Sequence, residues 1–241
     1  MSGKYLHGAF VEFMPTFLVP LPNVIVFQYN PESMTHAWTP PQPRSTSPSP
    51  RSNPLAVRGV PGETFSFTLA MDAGDMVADG SPVAVGIATA SGIYTRLAAL
   101  EMLQYPVPAA GGGLLGALSA SVSVGAGGVS IGGSAGGALK RSVPESQVPT
   151  VLFVWGPGRI LPVRVTGLTI TEKLYDPLLN PTHADAVVNL KVLTPEELVH
   201  VTGPLRGIAK GAYTYSQGLR QALAAANLAN SAESIIGMLP L

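Results

Sequence analysis

From Glu63 to Asp72 the chain alternates without a break: Phe65, Phe67, Leu69 and Met71 fall on one face, and Thr64, Ser66, Thr68 and Ala70 on the other. A period of two sustained over that length describes a half-buried β-strand, so the fold must contain a sheet with one apolar face. Other strand signals surround it. Asn23 to Tyr29 carries Val24, Ile25, Val26 and Phe27 between Pro22 and Asn30-Pro31, and reads as a strand buried on both faces. Thr150 to Trp155 runs into Gly156-Pro157-Gly158, a turn signal, after which Ile160 resumes the apolar pattern as a hairpin.

In the strand expected from Leu161 to Tyr175 the register changes. Val163 and Val165 are in phase, but Leu168, Ile170 and Leu174 continue on the opposite parity, which places a β-bulge near Gly167. A long turn at Asp176 to Pro181 leads to the last strand, Ala184 to Leu193, with Val188, Leu190 and Val192 inward and Asn189 and Lys191 outward. Five or six such strands in antiparallel hairpins predict a small barrel or sandwich.

Two stretches interrupt this pattern. Thr39 to Pro54 contains six prolines, whose missing amide hydrogens bar them from an interior strand, so an exposed loop is expected there. In Gly111 to Gly137 eleven of 27 positions are glycine and none is charged. Glycine pays too much backbone entropy to favour a helix, so a loop is expected over a membrane span, with Val122-Ser123-Val124 and Val129-Ser130-Ile131 forming a hairpin flap that turns at Gly125 to Gly128.

Two helices complete the reading. One spans about Gly86 to Gln104, with Ile87, Ile93, Tyr94, Leu97, Leu100, Met102 and Leu103 on its apolar face and Pro106 beyond its end. The other spans about Gly207 to Ile236, where Ile208, Ala212, Tyr215, Leu219, Leu223, Ala226 and Asn230 recur at spacings of four and three. That stripe suits either its own core or a second helix, and its alanine-rich, nearly uncharged second half calls for a partner.

The chain has 241 residues, 46% of them hydrophobic and 12% charged, with a formal net charge of +0. Such a balance gives little steering toward nucleic acid or anionic membrane and favours association of like copies. There is no cysteine, which excludes disulfides and thiolate metal sites and is compatible with a reducing, cytoplasmic setting. Residues 1 to 20 are broken by Glu12, Pro15 and Pro20 and lack the apolar core of a secretory signal.

Chemistry is sparsely represented. The glycines of 125 to 137 are not embedded in a βαβ unit, and no Gly-Lys-Ser/Thr is present, so no nucleotide cofactor is expected. His7, His36, His183 and His200 stand apart, without the His-Glu-x-x-His spacing of a zinc site. Thr194-Pro195-Glu196-Glu197 is a helix-start pattern, with a capping residue, a proline and acids in the first turn. Ser91, Asp72, Asp75 and Glu172 lack an evident histidine partner in sequence, so neither a nucleophilic triad nor any other catalytic set, metal or cofactor is expected.

Several segments, in order, resemble a known family. They are Phe27-Gln28-Tyr29-Asn30-Pro31-Glu32-Ser33, Glu63-Thr64-Phe65-Ser66-Phe67-Thr68-Leu69 leading to Asp72, and the helix through Leu97 and Leu100 to Pro106. They continue with Val151 to Gly156, Val165 to Ile170, Leu179-Asn180-Pro181 and Leu190 to Thr194. Over about residues 20 to 200 the chain resembles the contractile injection system tube protein, N-terminal domain family, found in the tube-initiating adaptor of phage-tail-like particles. The resemblance implies an α+β fold: an antiparallel β-barrel of the phage tail-tube type over residues 1 to 200, with one flanking helix, loop insertions near 39 to 54 and 107 to 147, and a helical extension over 201 to 241.

It also implies a non-enzymatic baseplate component of an assembled injection particle. Such a protein would form a homo-oligomeric, hexameric ring between the spike hub protein and the first ring of the inner tube protein, with baseplate or sheath components as neighbours and neither nucleic acid nor small-molecule substrate. Many relatives carry a LysM module at the C-terminus, where this chain has its helix. Candidate partner-interface residues are Phe27, Tyr29, Asn30, Glu32, Trp155, Tyr215, Leu219 and Leu223. The alternatives are a tube or cap protein at another level of the same particle, and a small-ligand-binding β-barrel, for which Trp38 and Trp155 would be the candidates.

Overall fold

The computed structural model describes residues 6–14, 21–43, 57–78, 82–105, 119–125, 128–134, 149–201 and 205–238. Its strands are β1 (Ala9–Met14), β2 (Leu21–Val26), β3 (Met34–Thr39), β4 (Gln42–Pro43), β5 (Val57–Arg58), β6 (Gly62–Asp72), β7 (Ser119–Gly125), β8 (Gly128–Ser134), β9 (Val151–Val154), β10 (Ile160–Glu172) and β11 (His183–Val192). Its α-helices are α1 (Ala73–Ala78), α2 (Pro82–Ser91), α3 (Tyr94–Met102) and α4 (Leu205–Met238), with a 3-10 turn at Glu197–His200. The fold is therefore α+β, with one seven-stranded antiparallel sheet in the order β2-β1-β9-β10-β11-β6-β3.

β6 keeps the alternation that its sequence displays: Phe65, Phe67, Leu69 and Met71 are buried, and Thr64, Thr68 and Ala70 are exposed. β11 does the same with Val188, Leu190 and Val192. The expected bulge is present, since Val165 pairs with Leu190 and Gly167 with Asn189, leaving Thr166 as the extra residue. One added residue bends the strand and increases its twist.

The sheet rolls tightly. Phe10 on β1 and Phe67 on β6 are four strand steps apart, which in a flat sheet is about 19 Å at about 4.8 Å per step. Their ring centroids are 6.4 Å apart, and Phe153 on β9 touches Phe65 at 5.6 Å and Phe67 at 5.5 Å. Phe10, Phe27, Phe65, Phe67 and Phe153 thus meet in one aromatic core, each contributing about 2–3 kcal/mol by burial. α3 covers this core with Ile93, Leu97, Leu100 and Leu103, a helical stripe.

Hydrogen bonding leaves the sheet open, because no ladder joins its margins β2 and β3; a closed barrel was expected. The two margins run in the same direction and are consecutive in the chain, so residues 27–33 themselves span the gap. Phe27 still follows β1, donating its N–H to Gly8 O at 2.8 Å. Gln28 then turns to β6: its Nε2 donates to Asp72 O at 2.7 Å, and its Oε1 accepts the Asp72 N–H at 3.0 Å.

Other expectations are corrected. β2 is an edge strand with Val24 and Val26 half exposed, instead of a strand buried on both faces. β1 and β3 were not recognised in the sequence; in β1 the buried Ala9 and Phe10 are followed by half-buried Val11 and Glu12, and β3 is mostly exposed, so neither displays a clear pattern. The helix expected over Gly86 to Gln104 breaks into α2 and α3. Gly92 sits at the break with φ +56, and a Cβ there would collide with the Pro181 carbonyl oxygen. Tyr94 and Leu174, both expected inward, are exposed.

Within the proline-rich stretch, Gln42–Pro43 pairs with Val57–Arg58, and residues 44–56 lie outside the described residues. The expected flap is a hairpin, with Val122 opposite Ile131 and Gly125 opposite Gly128.

Candidate functional site

The sequence-derived interface residues divide into a bend after β2 and a helix face on α4. Phe27 does not belong to any surface: it is 3% exposed and stacks among Phe10, Phe67 and Phe153, because its N–H continues the β1 ladder and turns the ring inward. Trp155 is half-buried against Phe27 and Phe153, and Gly8 is required beside it, since a Cβ there would lie 2.7 Å from both Trp155 and Phe27. Asn30 is exposed but acts as a strut: its Oδ1 accepts the Gly8 N–H at 2.9 Å and its Nδ2 donates to Leu6 O at 2.8 Å. Tyr29 and Glu32 are exposed. The Tyr29 hydroxyl donates to the Asp75 carboxylate, which pushes its pKa up to about 12.

On α4 the face turned to the sheet is one position off the expected stripe. Ala209 and Ser216 are buried and Tyr213 and Arg220 half-buried, whereas Ile208, Tyr215 and Leu223 are exposed and Leu219 is half-buried over Gly158. The offset has a polar cause. Ser216 Oγ accepts the Ile160 N–H at 3.2 Å and donates to Ile160 O at 2.7 Å, occupying the start of β10 as a strand partner would. Tyr215 OH donates to Pro157 O at 2.9 Å. From Gln221 to Leu228 every residue is exposed, Leu223 at 62% and Leu228 at 71%.

Three arrangements were not visible in the sequence. At the α4 end of the sheet, the buried Glu63 receives both nitrogens of the Arg220 fork and lies 2.8 Å from His36 Nε2, which makes no aligned hydrogen bond. Arg220 stacks over Trp38 at 5.0 Å, Arg159 lies over Phe65 at 5.3 Å, and His36 is stacked on Phe65 at 4.2 Å. Burial, aided by Arg159 and Arg220 and opposed by Glu63, holds the His36 pKa below its ordinary value.

At the other end, the loop after β10 presents Leu174, Tyr175, Leu178 and Leu179, all more than half exposed. Asp176 stiffens it: Oδ1 accepts the N–H groups of Leu178 and Asn180 at 2.8 Å each, Oδ2 accepts Asn180 Nδ2 at 2.9 Å, and Leu179 is held at φ +64. The Asn180 hydrogen bonds also keep the Asp176 pKa low.

The third arrangement pairs a histidine with Asp72, which the sequence left without one. His183 Nε2 lies 2.8 Å from Asp72 Oδ2 and Nδ1 lies 3.3 Å from Thr182 Oγ1, the outline of a hydroxyl–imidazole–carboxylate line. The hydroxyl donates its hydrogen to Leu174 O at 3.1 Å, so it holds no proton for the imidazole to take. Asp72 is equally committed: Oδ1 accepts the Gly74 N–H at 2.6 Å, capping α1, and its backbone N–H and C=O engage Gln28. Among the described residues no three His, Asp or Glu side chains form a metal-binding group, and no helix is long and apolar enough to cross a membrane.

Between the end of β2 and β6 lies a shallow apolar cleft lined by Val26, Gln28, Leu69, Met71, Arg96 and Leu100. Gln28 spends its amide on Asp72, so few polar groups converge there, as a small-ligand site would need. No family model matches the chain, and no curated protein is significantly similar to it.

Proposed function

We propose that this chain is a structural subunit of a ring, one that works through its outer surfaces and not through a reaction. The observation that carries this reading is the combination of a rolled sheet whose interior is filled by five phenylalanines with a 34-residue helix, about 50 Å long, whose residues from Gln221 to Leu228 are all exposed. A filled interior leaves no room for substrate, and an exposed apolar helix in water is marginal without a partner.

Within that class, the resemblance of residues 20 to 200 favours a tube initiator of a contractile injection system, a barrel-like adaptor joining the spike hub to the first ring of the inner tube. The rolled antiparallel sheet, bent at Thr166 and spanned by residues 27–33, supports a barrel of the tail-tube kind. Six copies per ring, contacts with baseplate or sheath components and a place in an assembled particle belong to the same proposal. Negative-stain microscopy with native mass measurement tests it: six-fold rings of the purified protein, alone or with hub or tube subunits, are the expected result. A monomer at every concentration and with every such partner overturns it.

A further inference from the structure

α4 is attached to the sheet through its first half, where Tyr213 packs on the core and the Tyr215 hydroxyl donates to Pro157 O. Its buried residues are small, Ala209 against Leu193 and Leu198, and Ser216 on Ile160. Arg220 is forked onto Glu63, and beyond it every described side chain up to Leu228 is exposed. The charged anchor of this helix rests on a single carboxylate, and Glu63, 3% exposed, is poorly placed to find water in place of a lost partner.

That carboxylate has a second suitor. His36 Nε2 lies 2.8 Å from the same oxygen, Oε1, that receives one arm of the fork. Its imidazole is fixed between the Phe65 ring at 4.2 Å and the Trp38 ring at 4.9 Å, so it has little freedom to swing away. The charged groups facing it are Glu63 from β6, Arg220 from α4 and Arg159 from the turn before β10. With His36 neutral, the Arg220 guanidinium holds the carboxylate and Arg159 stands by as a second positive charge near the ring. A proton on His36 adds a third cation to the same pocket and a direct competitor for Oε1.

We propose that His36 is a proton-operated release for α4: on acidification the imidazolium takes Glu63 from Arg220, and the helix loosens from the sheet while the sheet stays folded. The direction follows from the environment of the ring. His36 is harder to protonate in the folded chain than its ordinary value of 6.5, so the neutral form's contribution is complete above that value and is lost as pH falls below it. Release would free the Ile160 backbone groups at the start of β10 and the length of α4 for another partner.

Hydrogen exchange by mass spectrometry at pH 7.5 and 5.5, corrected for intrinsic rates, tests this on the intact chain. In the wild type, protection over residues 206–220 should fall at least tenfold on acidification while residues 64–71 stay protected. Unchanged protection of α4, or equal loss in both segments, overturns the proposal. His36→Gln should keep α4 docked at both pH values, and the same acid loosening in that variant overturns it. If His36→Gln does not fold, as lost protection of residues 64–71 would reveal, an NMR titration of His36 in the wild type decides. Its midpoint should coincide with that of α4 loosening, and a separation of more than about one pH unit overturns the proposal.

Discussion

Single residues hold this fold where strands alone would not. Asp72 ends β6, caps α1, pairs with His183 and binds the Gln28 amide through its backbone, so it ties together three elements and the strand crossing. Gly92 allows the Pro181 carbonyl to reach the α2–α3 break, where it accepts the Ile93 N–H at 2.9 Å. Gly92→Ala combines a positive φ with a backbone collision and should cost about 3 kcal/mol or more in a denaturation experiment. Arg220→Met strands a buried carboxylate and should cost about 2–3 kcal/mol, discounted from the usual figure because Arg220 is 29% exposed. Adding Glu63→Met should recover part of that loss, read from the same denaturation midpoints as a double-mutant cycle. None of these partnerships was legible in the sequence. Glu63 and Arg220 are 157 positions apart, and no local pattern connects them.

Elements were legible in proportion to how regular their environment is. β6 and β11 have one buried face, so alternation shows in the sequence; the β9–β10 hairpin showed as an apolar run ending in a turn signal, and the parity change at Gly167 exposed the bulge. The capping role of Thr194 was also readable, though it opens only a 3-10 turn, and the structure makes the cap reciprocal: Thr194 N–H donates to Glu197 Oε2 at 3.0 Å, and Glu197 N–H to Thr194 Oγ1 at 3.4 Å. Burial works against the Glu197 carboxylate, but Lys191 and Thr194 outweigh it and keep its pKa low. α4 was found, and its docked face was misjudged, because a serine and an arginine hold it where an apolar stripe was expected. The shift makes Leu223, 62% exposed, the critical test of assembly. Leu223→Asp should leave the denaturation midpoint within about 0.5 kcal/mol of wild type, as for other exposed sites. If α4 is an inter-subunit seam, the same variant should lose ring assembly in native mass spectrometry.

At the scale of the molecule, the two ends of the sheet differ: one carries the stiff leucine loop after β10 with Asp72 and His183, the other the α4 attachment around Glu63. Unlike ends suit head-to-tail assembly, which either closes into a ring or runs on as a filament. A tube initiator should stop at one ring, and a bulk tube protein should form long stacks alone, so particle length in micrographs separates these two readings of the same fold. The sequence by itself determined the faces of β6 and β11, the bulge, the hairpin turns and the cap, since each depends on neighbours within a few positions. Only the tertiary structure decided that the sheet rolls until Phe10 meets Phe67, that Phe27 turns inward, that the long helix breaks at Gly92 and that α4 docks by its polar side. Those outcomes depend on contacts between residues far apart in the chain, where packing and buried charge outweigh local periodicity.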